Sequence, residues 1–152
     1  MQAMDKGNTM LFLDFDGVLH PTFCPDEEHF CCRPLFESVM RRFPGVHIVI
    51  SSSWRRIYAI DYLRSRFSRD IAERIVGTTQ LWVPDERLNR HQEIVAYIER
   101  KGIENAAWLA LDDSAFEFPT HCANLLLCDS RVGLTEERAE VLAQRLAALG
   151  GA

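Results

Sequence analysis

Two acidic pairs and a run of hydroxyls are the groups in this chain best placed to do chemistry together: Asp14-Phe15-Asp16-Gly17, Ser51-Ser52-Ser53 and Asp112-Asp113-Ser114. Each closes an apolar run. If those runs are strands of one parallel sheet, the three groups gather at its carboxyl edge, where open α/β sheets bind ligands. Four carboxylates in one crevice repel one another by several kcal/mol at an effective dielectric of about 20, so they require shared protons or a cation. A donor set made only of oxygen selects a hard ion, and Mg²⁺ is the natural choice where phosphate is handled. A carboxylate can attack phosphorus and form an aspartyl-phosphate, splitting a difficult hydrolysis into two easier steps. An acid two residues further on can protonate the leaving oxygen and then activate water.

The elements that must position these groups alternate along the chain. Residues 10–15, 46–50, 107–111 and 125–128 read as short buried strands, with Ile75-Val76 as a brief further one. Residues 17–33 read as a loop or small flap. Pro34 suits the first turn of a helix that runs to Phe43 and stops at Pro44-Gly45. A long helix is expected from Trp54 to Phe67 with Ile57, Ile60, Leu63 and Phe67 on one face, and Ser68 can cap a short one after it. Residues 77–88 are irregular, with Pro84-Asp85 as turn chemistry. Helical spacing returns from His91 to Lys101 through Ile94, Val95 and Ile98, with Gly102 as its stop. Thr135 caps a last helix carrying Glu136 and Glu137 in its first turn and Leu142, Leu146 and Leu149 on its buried stripe. This order predicts an α/β fold, a three-layer doubly wound parallel sheet.

The 152 residues amount to one ordinary domain: a flexible segment 1–8 and a single domain over 9–152. Composition is that of a globular protein, with 47% hydrophobic and 26% charged residues, which excludes collagen-like and disordered classes. The longest apolar run, Ala106 to Leu111, is far short of the roughly 20 residues of a membrane span, and no leader pattern opens the sequence, so a soluble cytoplasmic protein without a membrane partner is expected. Five cysteines without a CxxC pair make a poor disulfide framework, and Cys24, His29, Cys31 and Cys32 fit no common zinc spacing, so reduced thiols are expected. The net charge of −5 argues against a general nucleic-acid coat, but it is unevenly distributed. Between Arg41 and Arg74 eight arginines face three acids, a net +5 that leaves −10 for the rest. Clustered guanidinium groups suit phosphate, and the plain alternative is a solvated helix face.

These residues carry a resemblance. Asp14-Phe15-Asp16-Gly17-Val18 resembles the first motif of the haloacid dehalogenase (HAD) superfamily, Ser51 or Ser52 the second, and Asp112-Asp113 the fourth, in order over about residues 9 to 149. The resemblance implies a HAD-like Rossmannoid core and Asp14 as nucleophile. It also implies Asp16 as general acid/base, with its main-chain carbonyl on the metal, and a Mg²⁺ shell of Asp14, Asp16, Asp113 and Asp112. Asp113 is favoured as direct ligand with Asp112 in support, and Ser52 slightly over Ser51 as the phosphoryl contact. The third motif departs from the family: lysine is usual there, and Arg90 stands at the matching position, with Arg87 and Arg55 as other sources of charge. Ser52-Ser53-Trp54-Arg55, Arg90 with Glu93-Ile94, and Gly133-Leu134-Thr135 are similar to the small HAD domains of Swiss-army-knife RNA-repair proteins. In that light Trp54 stacks a base or packs at its helix start, and Arg55 holds a phosphate. His20 falls near the site in the flap, and neither it nor Trp82 is assigned.

The intervals Asp16–Ser52 and Ser52–Arg90 leave no room for a large cap domain, which in this superfamily goes with an open site and macromolecular substrates. The expectation is a capless Mg²⁺-dependent phosphomonoesterase acting through an aspartyl-phosphate on a phosphorylated partner, with nucleic-acid or nucleotide phosphate ends as the candidate class, as a monomer or small homo-oligomer. The rivals are a phospho-accepting signalling module, disfavoured because the Asp-x-Asp pair comes first, and a catalytically silent nucleic-acid- or partner-binding module, which has no need of Asp16 as acid/base.

Overall fold

A computed structural model describes residues 9–80 and 88–150 of the chain; Lys6, Trp82, Pro84-Asp85 and Arg87 lie outside the described residues. Five strands, β1 (Thr9–Leu13), β2 (Val46–Ile50), β3 (Ile75–Thr78), β4 (Ala107–Asp112) and β5 (Leu125–Leu127), form one all-parallel sheet in the order β3-β2-β1-β4-β5. The centre falls to β1 because all five of its residues are apolar or small enough to be buried on both faces. Strand alternation then divides the core. Leu11 and Leu13 face one layer with Ile48, Ile50, Leu109 and Leu111, while Met10 and Phe12 face the other with Val49 and Ala110.

On the first face pack α1 (Arg33–Met40), α2 (Ile60–Ser65), α3 (Arg69–Ala72) and α5 (Glu136–Ala148), through Phe36, Met40, Leu63, Ile71, Leu142 and Leu146. On the second lies α4 (Arg90–Lys101), through Ile94, Tyr97 and Ile98, with Tyr97 taking the buried place expected of Val95. Asn89 and Gln92 close a capping box at the start of α4, and Gly102 ends it with φ +66, a conformation that a Cβ would strain. The side chain of Thr135 accepts from the Arg138 N–H to start α5.

The expected long helix over 54–67 is broken. Residues Ser53–Arg56 form a 3-10 turn, Ala59 is extended, and α2 begins only at Ile60. Ile57 is 77% exposed instead of lying in the core. The cause is Arg55, whose buried guanidinium is drawn inward to the carbonyls of Ser51, Ser52 and Thr79, which turns the segment out of helical phase. Ser68 does precede α3, but its hydroxyl donates to Glu37 rather than capping the helix.

The arginine-rich segment is divided between structural and solvent-facing roles, with Arg42, Arg56 and Arg69 exposed. Arg74 donates to the carbonyls of Met40, Phe43 and Val46, Arg64 to that of Ile75, and Arg41 pairs twice with Asp70. Those arginines brace strand and helix ends.

With β2 and β3 on one side of β1 and β4 and β5 on the other, the chain reverses its direction of winding beside β1. Such a switch point opens a crevice past the carboxyl ends of the strands. The residues that follow β1 and β4 stand in it.

Candidate active site

Asp14 leaves β1 with its N–H donating to the Leu111 carbonyl at 3.1 Å, which ties the end of β1 to that of β4. Its side chain is buried; Oδ1 accepts from the Phe15 N–H at 2.8 Å, and Oδ2 lies 3.1 Å from Arg90 Nη1. Asp112, the last residue of β4, is fully buried, and its Oδ1 accepts from the N–H groups of Asp113 and Ser114. Its Oδ2 accepts from the same Arg90 Nη1 at 2.8 Å. One guanidinium nitrogen therefore sits between two buried carboxylates. Arg90 occupies the first position of α4 and is steadied by Glu117, which accepts from its backbone N–H at 3.1 Å. Glu117 had no sequence signal, because its part is visible only once β4 and α4 are side by side.

Asp14, Asp112 and Asp113 offer oxygens within 4.8 Å of one another. Burial first, and then the charge of Asp112, drives the Asp14 carboxyl well above its ordinary range, despite the opposing pull of Arg90. Burial likewise raises Asp112, and Arg90 is held more firmly protonated by the two carboxylates. The cluster is thus short of positive charge even with Arg90 in place. Gly17 bears on the same point: at φ +78, a Cβ there would stand 2.1 Å from Asp113 Oδ2 and 2.9 Å from Thr22 Oγ1. The absent side chain leaves room for the Asp113 carboxylate to lie against the backbone of the Asp14–Gly17 turn. An all-oxygen, charge-deficient cluster held this way fits a hard divalent cation.

The Asp16 carboxylate stands apart from that trio and is partly exposed. It accepts from Trp54 Nε1 at 3.1 and 3.2 Å and pairs with His20 Nε2 at 2.7 Å. The tautomer of His20 is fixed by its other nitrogen, since Nδ1 accepts from the Phe30 N–H at 3.1 Å and leaves the proton on Nε2. Phe30 adopts φ +65 to aim that N–H, a left-handed conformation costing a non-glycine residue roughly 1–2 kcal/mol. The His20 hydrogen bond is the main cause that holds the Asp16 carboxyl below its ordinary value, with Trp54 adding to it. His20 is the neighbour that sequence reasoning left unassigned; its spacing of four from Asp16 across a tight turn was the available signal.

The two candidate serines differ in engagement. Ser52 Oγ accepts from the Trp54 N–H as the cap of the 3-10 turn, whereas Ser51 Oγ is buried without a hydrogen-bond partner among the described residues. Leu13 pairs with Ile50 across β1 and β2, so Ser51 follows as the rung beside Asp14. Thr79, just past β3, presents a second buried hydroxyl without a partner among the described residues. Both serine hydroxyls keep an O–H to give to a phosphoryl oxygen, because Ser52 Oγ only accepts from the Trp54 N–H while that of Ser51 is not engaged among the described residues. Arg55, expected to hold a phosphate, has its guanidinium engaged within the chain. It is buried, four of its N–H groups go to Thr79 O, Ser51 O, Ser52 O and Glu93 Oε2, and it underpins the serine turn.

The chain belongs to the family of HAD domains found in Swiss Army Knife RNA repair proteins, whose family model matches residues 10–139. No curated protein and no solved structure matches it. Among the described residues no helix is long and apolar enough to cross a membrane.

Proposed function

We propose that this domain is a Mg²⁺-dependent phosphomonoesterase that acts through an aspartyl-phosphate on Asp14, with phosphorylated nucleic-acid ends as its substrate class. The observation that carries the reading is the close trio Asp14, Asp112 and Asp113 at the switch point of the sheet, with Arg90 paired to the first two. The family's association with RNA repair proteins supports the substrate class.

Asp14, Asp112 and Asp113 would hold the metal, with the main-chain carbonyl of Asp16 completing the shell as the family resemblance implies. When bound, Mg²⁺ supplies charge neutralisation for the phosphoryl oxygens and for the carboxylate cluster. The steps belong to the chain's own residues. Asp14, restrained at Oδ1 by the Phe15 N–H and at Oδ2 by Arg90, attacks phosphorus. An oxygen–phosphorus bond forms on Asp14 as the ester bond breaks, and the leaving oxygen takes a proton from Asp16. Water then attacks the phospho-Asp14 and gives its proton back to Asp16, which frees phosphate. Low affinity of Asp16 for a proton in the free protein suits the water-activating step; the negative charge of an arriving phosphate raises that affinity for the first step. Ser51, and in second place Thr79, supplies a hydroxyl donor to the phosphoryl group, and Arg90 supplies fixed positive charge.

The test is turnover of 3′- and 5′-phosphorylated oligonucleotides with Mg²⁺ by the native chain and by Asp14→Asn. Metal-dependent phosphate release that Asp14→Asn abolishes is expected. A native chain without activity on either end, or an Asp14→Asn variant of undiminished activity, would overturn the proposal. Phosphate retained on Asp14 without turnover would instead mark a signalling module.

A further inference from the structure

A groove of about 460 Å³ opens beside Asp16, between the flap and the segment that carries the broken helix. Its wall is an aromatic ladder. Trp54, Tyr58 and Tyr62 recur every fourth residue, and their rings touch in sequence: Trp54 and Tyr58 at 5.4 Å, Tyr58 and Tyr62 at 4.6 Å with only 27° between their planes. The inner rung is anchored, since Trp54 packs edge-on against Phe15 and Phe30 and gives its indole N–H to Asp16. The outer rungs are open, with Tyr58 38% and Tyr62 42% exposed. Arg66 lines the same groove, its guanidinium 4.8 Å over the Phe30 ring and its Nε without a hydrogen-bond partner among the described residues.

Near-parallel rings left in water next to a cluster built for phosphate are unusual for a surface with nothing to bind. We infer that this groove is a stacking subsite for the unpaired nucleobase adjoining the substrate's phosphate, with Tyr58 and Tyr62 as the stacking rings and Arg66 as the cation for the next backbone phosphate. The inference rests on the phosphatase reading and adds that the substrate end is single-stranded and carries its base. A planar ring continues the Tyr58–Tyr62 stack whatever its sequence, because every base has a π-face. The Asp26 carboxylate and Ser53 hydroxyl at the rim can accept from exocyclic amino groups. Continuity with the reacting end runs through one contact, the Trp54 indole on Asp16. Trp54 is thereby the anchor of the ladder rather than its stacking face.

The experiment compares kcat/KM for a short phosphorylated oligoribonucleotide with that for the same oligonucleotide made abasic at its phosphorylated residue. Charge and phosphate are identical, so only the ring differs. The native chain is expected to prefer the base-bearing end by about tenfold or more, the effect a base-stacking aromatic produces. In Tyr58→Ala and Tyr62→Ala that preference should fall toward one, and Tyr58→Phe should keep it. Binding is read independently of turnover by quenching of a terminal 2-aminopurine on titration with Asp14→Asn, where the additional change Tyr62→Ala should weaken the quench. Equal kcat/KM for the two oligonucleotides, a preference untouched by both alanine variants, or no quenching would overturn the subsite. Quenching lost on Tyr62→Ala in a protein that hydrolyses neither oligonucleotide would uphold the groove while sinking the phosphatase reading.

Discussion

Replacing Asp14 with asparagine should move activity and stability in opposite directions, and the size of the second effect can be worked from the geometry. Oxygens of Asp14, Asp112 and Asp113 lie within 4.8 Å of one another, where at an effective dielectric of ~20 each pair of charges repels by about 3.5 kcal/mol. Arg90, 3.1 Å from Asp14, returns about 5 kcal/mol on the same scale. Removing the charge of Asp14 deletes two repulsions and one attraction, a gain of about 2 kcal/mol. The new amide meets Arg90 donor to donor, which takes back about 1 kcal/mol. A net gain of about 1–2 kcal/mol corresponds to roughly 2–8 °C in melting temperature for a chain of this size. Thermal unfolding followed by circular dichroism, in EDTA and in Mg²⁺, is the assay. In EDTA, Asp14→Asn should melt above the native chain while its turnover is lost. Added Mg²⁺ should stabilise the native chain more than the variant, because the native cluster carries one more charge to neutralise. A variant that melts below the native chain in EDTA, or gains equally from Mg²⁺, would refute the crowded-carboxylate reasoning.

Four further outcomes are expected. Without metal, melting temperature should fall as pH rises from about 4 toward neutrality. The raised carboxyls of Asp14 and Asp112 give the folded state more bound protons than the unfolded one above their ordinary value of 3.8, and Asp14→Asn should flatten that slope. The lowered Asp16 works the other way, with stability present above that value and lost as pH falls below it, so a melting curve that climbs throughout would mean Asp16 outweighs the cluster. Arg90→Met leaves two buried carboxylates facing each other and should cost roughly 3 kcal/mol in urea unfolding without metal, with Arg90→Lys recovering part of it. Gly17→Ala drives a Cβ into Asp113, so calorimetric Mg²⁺ affinity should drop in a chain that still folds; unchanged affinity would remove Asp113 from the ligand set. Arg55→Ala strands the buried Glu93 and should also cost roughly 3 kcal/mol, whereas lost activity at full stability would restore Arg55 as a phosphate contact.

The strands and both terminal-capped helices were legible because each is announced locally. Strands β1, β2 and β4 are mostly apolar runs, α4 ends on Gly102, and α5 begins at Thr135. The alternation of these elements was enough to set Asp14 and Asp112-Asp113 at one sheet edge. What escaped depends on contacts between distant residues. The apolar spacing of Ile57, Ile60, Leu63 and Phe67 fits one helix; the inward pull on Arg55 comes from Thr79 and Glu93, both at least 24 positions away. The basic segment read as a charged surface because a sequence does not show that Arg74 and Arg64 face bare carbonyls. Ser51 and Ser52 are chemically identical, and only the engagement of Ser52 with the Trp54 N–H separates them. The pairing of His20 with Asp16 needed the left-handed turn at Phe30, which no residue preference signals.

The proposed reaction stands or falls on Asp14 carrying the phosphoryl group. Its most direct measurement is an acid quench during turnover of an oligonucleotide radiolabelled in its terminal phosphate, with Mg²⁺ present, followed by peptide mapping. The expected result is an acid-stable, hydroxylamine-labile label on the peptide containing Asp14, absent from Asp14→Asn. Label on another residue, or Mg²⁺-dependent turnover that persists in Asp14→Asn with no label on the protein, would contradict it.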